Sequence, residues 1–498
     1  LPVVKFSKVV IMLPKDVSAK NAGENAAKIE SPRLGVRHLQ SMLIFFGLCV
    51  VFMLRVNLSV AIVAMMDRNA TNPDFPEYAW SEQTKSLLLS SFFWGYFSTQ
   101  IPGGQLAQRF GGKVMLLFSV GISAFLALFT PFSAKLGDWQ LMCALRFLQG
   151  FAQGVIYPST HTILAKWAPP AERGVLATLC FSGSQFGTIV MLGVSGALAA
   201  SKYGWPSIFY LSGFCGIIWS FVWLLWGADS PRQSKLITSQ ERNYIESALA
   251  EVSKCAIDET AAKLPTPWLR IFTSVPFWML LIVNCSYNWG YWTFMTQIPT
   301  YMKSVLGKDI QSNALLSALP YTANLLLGLG FCAIAQVLLS AQVLSTNASR
   351  KIFNTIGMWI PMAAAIALGF VNADNADLAV ILLTVAVGTN SATFLGAFVN
   401  HIDLSPNFAG TMMGITNCAA NVMSIIAPLV VGVIVTDTTN STQWRFVFMI
   451  MALYYFVGNL LFITFGSTKL QPWNQPVERH ENQEHIKFRV VAGDQEHI

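Results

Sequence analysis

The chain has 498 residues, 54% of them hydrophobic and only 11% charged, with a formal net charge of +7. Soluble domains carry about 25% charged residues, so this composition excludes a soluble enzyme or binding module and indicates an integral membrane protein. The excess positive charge sits in the tails and between long apolar blocks, which is the distribution that exclusion from hydrocarbon imposes, and it does not argue for a nucleic-acid partner.

Residues 1–37 read as a polar cytosolic tail, and no cleavable signal is expected, because the first strong apolar run starts near Met42 and continues into Arg55. Windows of about 20 apolar residues give twelve expected helical spans. Six fall at 40–66, 86–107, 113–133, 139–163, 174–200 and 206–228, and six at 276–302, 311–340, 351–371, 377–400, 407–436 and 443–466. The expected fold is therefore an all-α membrane protein of two six-helix halves, 38–228 and 276–466, with a tail at 467–498.

The first span carries Arg55 roughly 20 Å from its tail-side end at ~1.5 Å per residue, too deep for the side chain to snorkel. In the fourth, LMCALRFLQGFAQGVIYPSTH places Arg146, Gln149, Gly150, Gln153, Gly154, Tyr157 and His161 at helical spacing on one stripe. Arg146 enters from the other side, about 8 Å inside the boundary of a core about 30 Å thick, so the two arginines come out at similar depth. Two forked guanidinium groups at one level suit a single phosphate or carboxylate anion.

The only long polar interruption between spans, 229–275, contains TSQERNYIESALAEV. Thr238 and Glu241 have capping-box spacing, and Ile245, Ala248, Leu249 and Val252 form one apolar stripe, which predicts an amphipathic helix covering the inner ends of the bundle. In the second half, Asn284, Tyr287, Asn288 and Tyr291, then Thr389, Thr393, Gly396 and Asn400, then Asn417, Asn421 and Ser424 repeat the same spacing. Each stripe either lines a cavity or bonds neighbouring helices.

With both tails cytosolic, that side holds 23 of the 32 lysines and arginines. The sequons at Asn69 and Asn440 then fall on the opposite face, where glycosylation is expected; those at Asn57 and Asn347 do not. The eight cysteines show no metal or redox spacing and read as small buried hydrophobes. No carboxylate lies at depth in any span, Asp403 at a cytosolic boundary being the nearest, so the arginines need a counter-charge that an anionic substrate would supply. Without carboxylates, His161 and His401 are the remaining membrane-domain groups that titrate near neutrality, and the balance tips from protons towards sodium as the coupling ion.

Several stretches, LRVNLSVAIV, SFFWGYFSTQIPGG, GGQLAQRFGGK, RFLQGFAQGVIYPSTH, KWAPPAERG and NHIDLSPNFAGTMMGITN, resemble the anion:cation symporter family of the major facilitator superfamily over roughly residues 38–475. That family includes sodium/phosphate cotransporters, sialin and vesicular glutamate transporters, and the chain also resembles its insect phosphate-cotransporter branch. The resemblance implies twelve helices that alternate between inward-open and outward-open states. With the stripes above, the expected substrate site takes Arg55, Arg146, Tyr96, Tyr157, Tyr287 and Asn288, and coupling or gating is expected of His161, Gln153, Asn284, Asn417 and Asn421. Arg55 and Arg146 match the family's substrate-binding arginines, and His161 a histidine linked to transport in proton-coupled members. Gln153 stands where proton-coupled relatives have glutamate, Leu54 where some bacterial relatives have aspartate, and Tyr287 where glutamate transporters have arginine. Gln108 replaces the usual aspartate of the superfamily's loop signature, and the second-half loop FCAIAQVLLSAQ has lost most of that pattern. The implied protein is a monomeric plasma-membrane symporter carrying inorganic phosphate or a similar anion with sodium, and no cofactor. A proton-coupled carrier of organic anions in an acidic compartment is the alternative, and a membrane enzyme or receptor the remote one, since no HExxH, GxSxG or phosphate loop occurs.

Overall fold

The computed structural model describes residues 35–66, 72, 74–253, 265–305, 314–371, 375–437 and 439–474. Among them every regular element is helical. The first set comprises α1 (Val36–Met66), α2 (Glu82–Phe110), α3 (Gly112–Gln153), α4 (Ile156–Trp167), α5 (Arg173–Ala200) and α6 (Pro206–Trp226). The linker forms α7 (Ser239–Ser253) and the short α8 (Trp268–Phe272). The second set comprises α9 (Val275–Ser304), α10 (Ala314–Ser340), α11 (Thr346–Leu368), α12 (Ala376–Asn390), α13 (Ala397–Leu404), α14 (Ala409–Ile434) and α15 (Ser441–Phe465).

Nine helical segments among the described residues are long and apolar enough to cross a membrane. One of them, Gly112–Trp167, runs for 56 residues, more than twice what a ~30 Å core requires. Its backbone leaves the helical region at Gly137 and Asp138, where Asp138 takes a positive φ of 48° and its carboxylate accepts the Trp80 indole N–H at 2.6 Å. That break separates the expected third and fourth spans. The helices α2 and α9 fall outside the nine because they are rich in Ser, Thr, Tyr, Asn and Gln, and α12 with α13 make one span. With these divisions each of the twelve expected spans has a helical counterpart.

Contacts run mainly within each set, and the sets meet along α2 with α14 and along α5 with α10. The end of the bundle that carries Val36, Phe110, Trp167 and Arg173 is the inner end under the charge asymmetry. Small residues let the backbones approach: a methyl at Gly150 of α3, or at Gly154 that caps it, would overlap Phe92 O or the Thr99 hydroxyl of α2. These two glycines of the Arg146 stripe therefore serve packing, not cavity lining. Outward, α3 presents Phe118, Phe125 and Phe132, more than half exposed, as a lipid-facing row with a seven-residue repeat.

The amphipathic linker helix forms as expected. The Glu241 N–H donates to Thr238 Oγ1 at 3.3 Å, and Ile245 and Leu249 are buried. The Glu241 carboxylate does more than a capping box asks: it accepts from Val36 N at 2.8 Å and Arg37 N at 3.1 Å, closing two of the orphan N–H groups of α1. The Arg37 guanidinium adds a bond to Glu241 and a forked pair to Glu172. The Tyr244 hydroxyl also donates to Glu172, and burial beside that carboxylate pushes the phenol up to about 12, so it keeps its proton. The linker is thereby pinned to α1 and to the loop before α5.

Candidate functional site

The two arginines meet at one level, as the depth argument required. Arg146 Nη2 donates to Arg55 O at 3.1 Å, and the Phe92 ring lies 5.1 Å from the Arg55 guanidinium and 5.4 Å from that of Arg146. Their surroundings differ, however. Arg146 is 3% exposed and committed: Nη1 donates to Leu54 O, Asn57 Oδ1 and Gln149 Oε1 at 3.0–3.3 Å. It fixes the midpoint of α1 to α3. Arg55 is held by faces only, with Phe52 at 4.7 Å and Tyr96 at 4.6 Å, while its Nε and Nη2 have no hydrogen-bond partner. Among the described residues no carboxylate pairs with either arginine.

Aromatic faces stabilise a desolvated cation by up to about 2 kcal/mol each but leave its in-plane N–H groups unsatisfied. Arg146 keeps only its Nε without a partner, so the Arg55 fork of Nε and Nη2 is the freer donor of the pair, backed by the fixed charge of Arg146. Tyr96 is oriented by Asn417, whose Nδ2 donates to its hydroxyl at 3.1 Å across the α2–α14 seam. Below lie Gln153 and Gln100, fully buried with both amide atoms unpartnered.

Other expected residues are placed differently. Asn284 and Asn288 donate to the carbonyls of Leu280 and Asn284, four residues back on α9, and Asn421 does the same to Asn417 on α14. Their amide N–H groups neither bridge helices nor reach the arginines. The run Thr389, Thr393, Gly396 and Asn400 does not form one stripe, because α12 ends at Asn390 and a 3-10 turn follows over Ser391–Phe394. Tyr287 stacks on Tyr291 at 5.6 Å and meets Phe398 edge-on at 5.6 Å. Tyr157 joins it through Phe181, whose ring lies 5.9 Å from Tyr157 and 6.0 Å from Phe398.

His161 sits on the inner seam, fully buried. Its Nδ1 faces Tyr157 O at 3.0 Å and its Nε2 faces Phe398 O of the second set at 3.1 Å. His401 lies beside it, ring centroids 5.6 Å apart, with Nδ1 on Phe398 O and Nε2 on the Thr416 hydroxyl. Nearer the inner end, Arg173 Nη1 of α5 donates to Asp403 Oδ1 at 2.9 Å, and Arg350 Nε of α11 donates to Asp403 Oδ2 at 2.8 Å. Asp403 thus ties both sets together at the inner end. Sequence reasoning noted its position but missed this function, because its partners lie 230 and 53 residues away. Sequence spacing gives no sign of Asn57 and Phe92 either, Asn57 standing out only as part of a sequon inside the membrane. Of the two glycosylation candidates, Asn440 is exposed at the N-terminus of α15, and Asn69 lies outside the described residues.

The model of the Major Facilitator Superfamily matches residues 44–428. A Drosophila melanogaster protein named "Putative inorganic phosphate cotransporter" is 36% identical over 481 residues, covering 92% of this chain and 90% of its own. Sialin of Homo sapiens is 36% identical over 88% of this chain and 90% of its own, and vesicular glutamate transporter 1 of Bos taurus is 33% identical over 92% and 81%. Among solved structures, the proton:xylose symporter XylE bound to 6-bromo-6-deoxy-D-glucose superposes with a TM-score of 0.63 at 16% identity, over 86% of this chain and 95% of that one.

Proposed function

The chain belongs to the major facilitator superfamily, within the group that holds phosphate cotransporters, sialin and vesicular glutamate transporters, and from that premise we propose that it couples entry of inorganic phosphate or a similar small anion to the sodium gradient. It is a multi-pass membrane transporter, and its relatives are named as transporters, not enzymes. The observation that carries the finer reading is the unpartnered Arg55 fork beside Arg146, with no carboxylate paired to either among the described residues. Arg55 is half-buried, but its Nε and Nη2 are out of solvent without hydrogen-bond partners among the described residues, a desolvation cost that an entering anion offsets with charge-assisted, geometrically matched bonds.

In this reading the halves 38–228 and 276–466, joined by the linker 229–275, rock about the site. Inner contacts hold while the anion enters from outside; its charge and sodium then release the Asp403 tie and the inner end opens. Sodium in this reading is cargo, held by backbone and hydroxyl oxygens. The plasma membrane, where an inward sodium gradient exists, is the matching residence, and the working unit is a monomer. The test is uptake of radiolabelled phosphate into proteoliposomes under sodium or potassium gradients. Sodium-dependent uptake that falls at least tenfold in Arg55→Ala supports the reading; unchanged uptake in that variant overturns it.

A second reading is favoured by His161. Both ring nitrogens face carbonyl oxygens, which only accept, so a neutral imidazole leaves one lone pair against a carbonyl while an imidazolium donates to both. A proton there would strengthen the tie to Phe398 and could couple transport of an organic anion in an acidic compartment to pH. Uptake of glutamate or sialic acid driven by a pH gradient without sodium, and lost in His161→Gln, selects this alternative.

A further inference from the structure

A cavity of about 670 Å³ lies not at the arginines but at the inner end, between the α2–α3 turn, the end of α4, the start of the linker, α7 and the Pro406–Asn407 turn of the second set. This volume falls in the range of ligand sites. Its charges do not balance. Four cations, Arg109, Lys113, Lys166 and Arg232, face two carboxylates, Asp229 and Glu246. Lys166 pairs with Asp229, and Arg232 with Glu246 at 3.0 Å. Among the described residues neither the Arg109 nor the Lys113 side chain pairs with a carboxylate: Arg109 rests over the Phe110 ring and Lys113 Nζ donates to Leu224 O at 3.2 Å, only its backbone N–H reaching Asp229 Oδ1. Two buried polar groups that line the same space, Gln108 Nε2 and Ser230 Oγ, have no hydrogen-bond partner.

One wall says what kind of anion fits. Val114, on the cavity, begins an exposed apolar row that continues up α3 through Phe118, Ile122, Phe125, Phe129 and Phe132. At 1.5 Å per residue that row is about 27 Å long, close to the thickness of the hydrocarbon core. A ligand with a phosphate group in the cavity and acyl chains along this row satisfies both surfaces, whereas a free phosphate satisfies only the first.

We propose that this cavity is a headgroup site for a phosphate-bearing anionic lipid of the inner leaflet, with Arg109 and Lys113 as the primary cations and Gln108 and Ser230 as donors. Basic pockets at the cytoplasmic ends of spanning helices bind such headgroups. Because Pro406 and Asn407 belong to the second set and the other walls to the first set and the linker, an occupant bridges them and favours the arrangement in which Asp403 ties the two sets at the inner end.

The test measures thermal unfolding of the full chain in nanodiscs of phosphatidylcholine alone and with phosphatidylserine or phosphatidylinositol 4-phosphate. Two further arms add soluble inositol trisphosphate or inorganic phosphate to phosphatidylcholine discs. The midpoint is expected to rise most with phosphatidylinositol 4-phosphate. In the double variant Arg109→Gln, Lys113→Gln the lipid concentration needed is expected to increase roughly 30-fold, given the contribution of each basic residue near an anionic surface. The charge-preserving pair Arg109→Lys, Lys113→Arg should retain the response, and so should Arg55→Ala, which separates this site from the transport site. Equal responses of wild type and the Gln double variant, or no response in wild type, overturn the proposal. Soluble inositol trisphosphate acting as strongly as the lipid overturns the assignment to a lipid.

Discussion

Replacing Arg173 by Gln cuts the inner tie between the two helix sets at one point. The Arg173 to Asp403 bond crosses from α5 to α13, whereas Arg350 to Asp403 stays within the second set, so the variant leaves Asp403 with a cationic partner. A hydrogen bond to a charged group contributes about 1.5–3 kcal/mol net. The gain here falls at the low end, because Arg173 Nε and Nη2 are buried without partners and their removal relieves a desolvation cost. At about 1.4 kcal/mol per decade, the closed-to-open ratio at the inner end should fall on the order of tenfold. Spin labels introduced as Ala171→Cys and Gln342→Cys, both exposed on opposite sets at that end, report the separation by pulsed electron resonance in a cysteine-free background. The long-distance population should grow in Arg173→Gln while the unfolding midpoint changes little. Asp403→Asn, which strands two buried guanidinium groups, should also lower the midpoint, in line with the ~3–5 kcal/mol cost of breaking a buried pair. An unchanged distance distribution in a folded Arg173→Gln protein would refute the reasoning.

Arg146→Lys keeps the charge but cannot reach Leu54 O, Arg55 O, Asn57 and Gln149 together, so phosphate uptake should drop at least tenfold although the cation remains; rescue of full uptake by lysine would show that only charge matters. Gly150→Ala drives a methyl into Phe92 O and should cost about 1–3 kcal/mol or more through overpacking, read as reduced yield and a lower unfolding midpoint, whereas Gly193→Ala, with open space around it, should be silent. In a eukaryotic host Asn440→Gln should remove a glycan detected as a gel shift on deglycosylation; no shift in wild type at that site would contradict the orientation drawn from the lysines and arginines.

Much of this was readable in the sequence because bilayer physics leaves few options. Long apolar blocks, a charged linker and two deep arginines give the span boundaries and place Arg55 and Arg146 at one height. What periodicity could not convey is where a helix stops being a helix. The spacing of Thr389, Thr393, Gly396 and Asn400 suggested one face, but the chain leaves α-helical bonding at Ser391 and rotates the later residues away. Nor does spacing show where an amide turns. Asn284 and Asn288 point back to their own carbonyls, which satisfies them locally and removes those N–H groups from the site. The asymmetry between Arg55 and Arg146 was equally hidden, since it depends on backbone carbonyls of α1 that the sequence names only as Leu54 and Arg55. The inner tie of Arg173, Asp403 and Arg350 unites residues far apart in the chain, and only the packed bundle brings them together.

The most direct measurement is equilibrium binding of radiolabelled phosphate to the purified chain, wild type and Arg55→Ala, with and without sodium, which separates anion recognition from the coupling and conformational steps. Saturable binding in wild type, strengthened by sodium and abolished in Arg55→Ala, is the expected result. Phosphate bound equally well by the alanine variant would contradict the claim that the free guanidinium fork is what the anion meets.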